Sequence, residues 1–109
     1  MKMVQAVIRP EKLEPVMKAL GKKNLVALTV SGVRGRGEQK GIALEFRGVM
    51  TQVDLLPKVK IELVVQDSEV EIAIATIRAN ARTGTMGDGK IFVLPVEVMA
   101  WVRTDETWG

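Results

Sequence analysis

The sequence predicts an α+β protein in which two amphipathic helices cover one face of an antiparallel sheet. Two patterns predict this class: apolar residues recur at helical spacing in two segments, and strand-like runs flank both segments. The order is strand, helix, strand, long loop, strand, helix, strand, followed by a short final strand. Two βαβ halves of this kind predict a ferredoxin-like βαββαβ sandwich with a long loop between strands 2 and 3.

The composition limits the chemistry that the chain can perform. It has 109 residues, 16 Lys and Arg against 13 Asp and Glu, a net charge of +3, and neither His nor Cys. That length predicts a single domain, 1–109. The usual zinc sites, disulfides and thiol or His-dependent nucleophiles are excluded. A bound metal would be a hard ion held by oxygens, such as magnesium carried by a phosphate ligand.

Two further absences bear on compartment and partner. No apolar run approaches the roughly 18 residues of a membrane-spanning helix, and the first residues lack the apolar stretch of a signal peptide. We therefore expect a cytoplasmic protein. Two Phe, two Trp and no Tyr leave few side chains on which bases could stack, which argues against nucleic acid as a partner.

The first half of the chain predicts a strand, a helix and a second strand. Residues 3–9 are predicted to form a strand that ends before a proline. Residues 25–33, which are rich in Val, Leu and Thr, are predicted to form another. The helix between them begins near Glu11, so that Pro15 falls in or just after its first turn, and Gly21 ends it. Its apolar stripe consists of Leu13, Val16, Met17 and Leu20.

A long central segment predicts no regular structure. Residues 34–41 are polar and rich in glycine, and residues 42–55 show no sustained apolar period. We interpret 37–55 as a mobile loop, and loops of this length in small domains are usually functional.

The second half predicts a strand, a helix and two more strand-like runs. Residues 59–65 alternate between apolar and polar, which indicates a strand with one buried face. Residues 68–71 have the pattern of a capping box that opens a helix. The runs 91–94 and 96–103 follow a glycine-rich turn. The apolar stripe of the helix consists of Val70, Ala73, Ile74, Ile77 and Ala81.

The sheet face opposite the helices also carries apolar residues. Met3, Val7 and Val64 are predicted on that face. Because two helices cover only one side of the sheet, we expect the other side to pack against further copies of the chain.

The glycine-rich turn before the last long strand is the sharpest local motif. Residues 84–90 match the G-x-x-x-x-G-K part of a Walker A loop, but Ile91 follows where that motif needs Ser or Thr. The segment also leaves a helix and enters a strand, so no helix N-terminus points at a phosphate. Its glycine N–H groups could form an anion-binding nest to which Lys90 adds charge. Alternatively it is an ordinary turn that uses glycine for positive φ, and the motif alone leaves both interpretations open.

Three weaker features each have a plain structural interpretation. Residues 35–41 could be a solvated hinge, and Lys58, Lys60 and Glu62 could be a solvent-facing row of one strand. Arg103, beside Trp101, could be an ordinary surface residue. These features become candidates for a functional site because they occur together at these separations in the sequence.

In this order the segments resemble the PII nitrogen-regulatory signal-transduction proteins, over residues 1–106. The stretches that carry the resemblance are Gln39-Lys40-Gly41, residues 56–62 and residues 87–92. The resemblance implies a homotrimer of ferredoxin-like subunits with ATP or ADP in each cleft between neighbours. Residues 87–90 would wrap the phosphates, Thr29, Glu62 and Val64 would surround the base, and Arg103 would reach in from the next subunit.

The resemblance also implies an effector and a set of ligand-binding residues. Gln39 would complete a magnesium site shared by ATP and 2-oxoglutarate, and Lys58 would pair with the distal carboxylate of the oxo acid. Backbone N–H groups near Lys40 and Gly41 would hold the loop around it. The implied nucleotide-binding residues are Val7, Ala27, Leu28, Thr29, Gly37, Glu38, Gln39, Glu62, Val64, Gly87, Asp88, Gly89, Lys90 and Arg103, and the 2-oxoglutarate-binding residues are Gln39, Lys40, Gly41 and Lys58.

The implied output is binding to partner proteins. In the family, an arginine at the position of Arg47 enters the cytoplasmic mouth of an ammonium transporter, which predicts recruitment to the inner face of the membrane. A solvated Arg47 on a flexible loop is the alternative. Nitrogen-assimilation enzymes are further candidate partners. We expect no enzyme activity, because the chain shows no evident set of general base and nucleophile; the alternative is a small ferredoxin-like enzyme that acts on an anionic metabolite.

Four positions depart from the pattern of many relatives. Glu38 and Trp101 stand where many relatives have arginines that contact the nucleotide. Val49 and Thr51 replace residues that others modify covalently, so we expect no covalent switching at these two positions by those routes.

Overall fold

The structure, a computed structural model, describes residues 1–37, 42–46, 49–53 and 55–109. Short 3-10 turns, Pro10–Lys12 and Asp67–Glu69, precede the two helices. The elements in chain order are β1 (Lys2–Ile8), α1 (Leu13–Lys22), β2 (Thr29–Gly35), β3 (Ile42–Phe46), β4 (Val49–Val53), β5 (Leu56–Val65), α2 (Val70–Ala81), β6 (Gly89–Pro95), β7 (Met99–Ala100) and β8 (Thr107–Trp108).

The main sheet has four strands in the order β2-β5-β1-β6, and every neighbouring pair is antiparallel. Each helix connects two strands that are not neighbours, as a βαβ half requires. The two helices contact each other and α2 contacts β1. This topology confirms the predicted α+β class and its ferredoxin-like βαββαβ order, whereas the homotrimer stays a prediction.

The core lies between the helices and one face of the sheet. Alternate residues of β1 and β5 point into it, as the period of two along a strand requires. Small buried side chains on α2, such as Ala73 and Ala81, let this helix pack closely against the sheet and α1. The buried apolar residues are Val4, Ala6, Ile8, Val16, Leu20, Leu25, Ile61, Leu63, Val65, Ala73, Ile77 and Ala81.

Helix α1 ends later than predicted, and the second strand therefore begins later. The Asn24 N–H donates to the Gly21 carbonyl and the Leu25 N–H to the Leu20 carbonyl, each at 3.0 Å, and Asn24 has a φ of 62°. This is the Schellman pattern of a helix C-terminus, with Asn24 in place of the usual glycine. Leu25 is thus buried as part of the helix cap, not as a strand residue, and β2 starts at Thr29 instead of residue 25.

The absence of regular structure predicted for the central segment is wrong. Strands β3 and β4 pair antiparallel over five residues each, from Ile42 opposite Val53 to Phe46 opposite Val49. In the sequence, residues 47–48 lie between the two strands. The sequence pattern did not predict these strands, because a two-stranded backbone ladder can form without a sustained apolar period. The mobility of 37–55 stays a prediction.

Two predicted boundaries in the second half are wrong. The cap of the α2 segment lies at Gln66, whose N–H donates to the Glu69 carboxylate at 2.9 Å, and not at Ser68. A 3-10 turn inserted before α2 accounts for the shift. The run 96–103 is not a continuous strand: only β7 forms, and it pairs with β8.

The C-terminal hairpin of β7 and β8 is closed by its two tryptophans. The Trp101 and Trp108 rings meet edge to face, with centroids 5.1 Å apart. The Trp101 N–H donates to the Glu106 carbonyl, and the Trp108 indole donates to the Glu106 carboxylate, each at 3.0 Å. Such edge-on aromatic pairs are typically stabilising.

The sheet face away from the helices is partly apolar, as predicted. Val64 of β5 is 37% exposed, and Phe92 and Leu94 of β6 are 48% and 42% exposed. Met3 and Val7 are half-buried there. Among the residues that the structure describes, no helix is both long and apolar enough to span a bilayer.

Candidate functional site

The loop that connects α2 to β6 depends on glycine. Gly84, Gly87 and Gly89 have φ values of 87°, 96° and 103°, in the region that other residues rarely adopt. A Cβ on Gly89 would collide with the Val7 carbonyl group, whose carbon would lie only 2.8 Å away. The interpretation of this segment as a turn with positive φ is therefore correct. The anion-binding interpretation stays open, because a glycine-rich loop without side chains can also expose its backbone N–H groups to an anion.

Asp88 organises this loop from within. Its carboxylate accepts the Thr83 and Gly84 N–H groups at 2.9 and 2.8 Å, and also the Thr83 hydroxyl. The Arg9 Nε donates to the same carboxylate at 3.2 Å. The Thr83 hydroxyl above all, with these N–H groups and Arg9, holds the pKa of Asp88 well below its ordinary value, although burial opposes them. Asp88 is thus ionised at neutral pH.

Two cations hold the carbonyl side of the loop. The Arg9 Nη2 donates to the Met86 carbonyl at 2.7 Å and to the Thr85 hydroxyl at 3.0 Å. The Lys58 Nζ donates to the Gly87 carbonyl at 2.6 Å. Both donors are charged, so these are the stronger kind of hydrogen bond. Arg9 therefore ties Thr85, Met86 and Asp88 of the loop to the end of β1.

The open face of the sheet continues from this loop. Val7 pairs with Lys90 on one side and with Lys60 on the other, and Thr29 pairs with Glu62. The Glu62 carboxylate accepts the amide of Gln5 at 3.2 Å, and Lys60 Nζ lies 4.0 Å from it. A row of polar groups thus crosses the sheet beside the loop.

A cleft of about 370 Å³ lies behind the loop, between α2 and β6. Its lining includes the apolar residues Ile8, Ile77 and Ala81 and the basic residues Arg78, Arg82 and Lys90.

The structure brings together most of the predicted site residues that it describes. Residues 87–90 form one continuous loop edge with Val7 beside them. Thr29 and Glu62 lie opposite each other on the open face, and Val64 is two residues further along β5. Lys58 contacts the loop directly.

The other predicted residues are not part of this cluster or cannot be placed. Leu28 packs partly against the core, Ala27 precedes β2 and Gly37 follows it. Arg103 is exposed beyond β7, and its predicted role in a neighbouring subunit is untested. Glu38, Gln39, Lys40, Gly41 and Arg47 lie outside the described residues. The predicted magnesium ligand Gln39 is among them, and no group of three or more acidic residues suited to a metal occurs in the described ranges.

Sequence reasoning gave no role to Arg9 or Thr83, although both hold the loop. The signal was available in the topology. Because β1 and β6 are antiparallel neighbours, the end of β1 meets the start of β6, and Ile8 pairs with Gly89. A basic residue directly after β1 must therefore lie beside the loop.

The fold and the loop define a ferredoxin-like α+β protein with a glycine-dependent loop, held by Arg9 and Lys58, at the edge of an open sheet face. The family described as nitrogen regulatory protein P-II matches residues 1–106 of the chain. The chain belongs to this family of nitrogen regulatory proteins.

Curated relatives agree with this assignment. The chain is 49% identical over 107 residues to nitrogen regulatory protein P-II 2 of Methanothermobacter thermautotrophicus, covering 98% of this chain and 93% of the relative. It is also 49% identical over 109 residues to nitrogen regulatory protein P-II of Azospirillum brasilense, covering 100% and 97%. The P-II protein of Microchaete diplosiphon matches equally well over 106 residues, 97% of this chain and 95% of the relative. The resemblance is thus confirmed, and the family consists of regulatory proteins rather than enzymes.

Proposed function

We propose that this chain is a nitrogen-regulatory signalling protein that binds ATP or ADP at the loop before β6 and controls partner proteins through residues 37–55. The observation that supports nucleotide binding is the glycine-dependent loop itself. At Gly89 the chain has no room for a side chain, and the basic residues Lys90, Arg9 and Lys58 lie on or against the same loop. Backbone N–H groups on such a loop suit phosphate oxygens, and Lys90 adds positive charge next to them in the sequence.

The rest of the proposed nucleotide site lies along the open sheet face. Thr29 and Glu62 offer a hydroxyl and a carboxylate side by side, and Val64 offers an apolar surface. These groups fit an adenine base, which has a polar edge and apolar ring faces. In this proposal Arg103 comes from a neighbouring copy of the chain, so the complete site requires the homotrimer.

The proposed effector is 2-oxoglutarate, with magnesium bound between it and ATP. Mg²⁺ prefers six oxygen ligands, more than the single oxygen that the Gln39 side chain supplies. Oxo acid affinity should therefore depend on ATP, and by linkage ATP affinity should depend on the oxo acid. Because ADP lacks the γ-phosphate, it should leave residues 37–55 in a different conformation.

The proposed output is regulation of an ammonium transporter through Arg47. The protein would act in the cytoplasm and be recruited to the inner face of the membrane by that transporter. Nitrogen-assimilation enzymes are further proposed partners. The support is the family assignment together with the basic residue in the segment between β3 and β4.

Isothermal titration calorimetry tests the ligands. ATP, ADP and AMP are each titrated with and without 2-oxoglutarate and Mg²⁺, alongside Lys90→Ala and the control Lys23→Ala, which removes one charge at an exposed position after α1. We expect adenine nucleotide binding in the parent and in the control, and its loss in Lys90→Ala. Multiple turnover of a metabolite, with no adenine nucleotide binding, would favour the alternative enzyme instead.

Sedimentation and co-purification test the assembly and the partner. Analytical ultracentrifugation should give a mass of three times the 12.0 kDa of one chain. Co-purification with an ammonium transporter in membranes should vary between ATP and ADP and should be lost in Arg47→Ala but not in Lys23→Ala. A monomer in dilute solution would contradict the shared site.

A further inference from the structure

Two consecutive carbonyl groups of the loop are bound by cations from outside it, one directly after β1 and one in β5. The Met86 carbonyl accepts a hydrogen bond from Arg9 and the Gly87 carbonyl accepts one from Lys58, at 2.7 and 2.6 Å. The described chain has no cis peptide bond. In a trans peptide unit the N–H of the next residue points opposite to the carbonyl. The N–H groups of Gly87 and Asp88 are therefore turned away from Arg9 and Lys58.

Both cations lie on the same side of Gly87. A Cβ built on Gly87 would lie 3.2 Å from Arg9 Nη2 and 3.7 Å from Lys58 Nζ. The two carbonyls thus face a common pair of charges, and the two N–H groups face the other side of the loop. Successive N–H groups on one side of a turn form a concavity that binds anions.

We propose that Arg9 and Lys58 are positioning residues that hold the Gly87 and Asp88 N–H groups toward an anion, the polyphosphate of the nucleotide. This inference rests on the proposed function. Arg9 acts through the loop, because its Nε and Nη2 already bind Asp88, Thr85 and Met86. Lys58 was predicted only as a partner of the oxo acid, and its bond to Gly87 gives it a second task in the same site.

Arg9 also stabilises the start of the loop, residues 83–84, indirectly through Asp88. The carboxylate that binds Arg9 Nε accepts the N–H groups of Thr83 and Gly84 as well. Loss of Arg9 therefore frees the Met86 peptide unit and loosens the carboxylate that holds the start of the loop. A Lys at position 9 would keep the charge but not the two-armed geometry, since an ammonium group donates from a single point.

Backbone ¹⁵N relaxation of the nucleotide-free protein tests the positioning directly. In the parent we expect Gly87 and Asp88 N–H order parameters of about 0.85, as for rigid backbone, and in Arg9→Met values below about 0.6. Arg9→Lys should be intermediate, and the charge-matched control Lys23→Met should equal the parent. Order parameters in β1 and β5 show whether each variant is folded. A folded Arg9→Met variant with parent-like order at Gly87 and Asp88 would overturn the inference.

Titration with ATP, and with inorganic tripolyphosphate as a probe without a base, tests the link to the anion. With no oxo acid present, Arg9→Met and Lys58→Met should each weaken binding at least about tenfold, the range expected for loss of a charge-assisted hydrogen bond. The Lys23→Met control should stay within about twofold. Parent-like affinity in a variant whose loop has lost order would also overturn the inference. If the parent binds neither probe, the proposed function is wrong, and the relaxation data alone then decide whether Arg9 orders the loop.

Discussion

Replacing Gly89 with alanine would place a methyl group against the neighbouring strand. Gly89 has a φ of 103°, and its added Cβ would lie 2.8 Å from the Val7 carbonyl carbon and closer still to the oxygen. The positive φ alone costs about 1–3 kcal/mol for a residue with a side chain. The clash is with backbone, so β1 and β6 would have to separate where Ile8 pairs with Gly89. We expect a total loss of roughly 2–4 kcal/mol of unfolding free energy.

Urea unfolding followed by circular dichroism at 222 nm measures this loss. The matched control is Gly21→Ala, because Gly21 lies within α1 and a Cβ there meets nothing within 4 Å. That control should stabilise the protein by about 0.5–1 kcal/mol, the usual gain for alanine over glycine in a helix. A Gly89→Ala variant that unfolds at the same urea concentration as the parent would refute the reasoning, since it would mean that the two strands can part without cost.

Three further predictions follow from the described contacts. Leu20→Ala should lower the unfolding free energy by about 2–5 kcal/mol by urea titration, because the side chain is fully buried and leaves a cavity; Lys18→Ala, exposed on the same helix, should change it little. Asn24→Gly should raise it by up to about 1 kcal/mol, since glycine adopts the left-handed conformation of this helix cap more readily. Asp88 has a lowered pKa in the folded state, so its contribution is present above the unfolded-state pKa and is lost as pH falls below it. Asp88→Asn should therefore flatten the acid side of the stability–pH curve below about pH 4, and an unchanged curve would contradict the role of this carboxylate.

Much of the fold could be predicted because local patterns agree with the tertiary structure. The alternation in β5 is strong, with Ile61, Leu63 and Val65 buried and the residues between them on the open face. The stripes of α1 and α2 likewise mark the faces that pack. Element boundaries were less predictable. Asn24 takes a conformation usually given to glycine, and Gln66 is not one of the usual N-cap residues, so neither carries the usual sequence signal.

The glycines and Lys90 of the candidate site could be predicted from the sequence, but the hydrogen bonds from Arg9 and Lys58 to the loop could not. Glycines and a lysine lie close together in the sequence, whereas the bond from Arg9 to Asp88 spans 79 positions. That contact exists only because the sheet places β1 between β5 and β6. The same strand order places β5 on the same side of β6 as β1, which brings Lys58 to Gly87 as well. Strand order is set by the packing of the whole domain, which no local motif encodes.

The edge-to-face contact in the C-terminal hairpin has a practical consequence for spectroscopy. Trp101 and Trp108 are the only tryptophans of the chain, and they touch each other. Tryptophan fluorescence excited near 295 nm therefore comes from this hairpin alone. It does not report on the packing around Leu20 and Ile77. An unlabelled sample can thus report, in real time, whether the segment that carries Arg103 moves when a ligand is added.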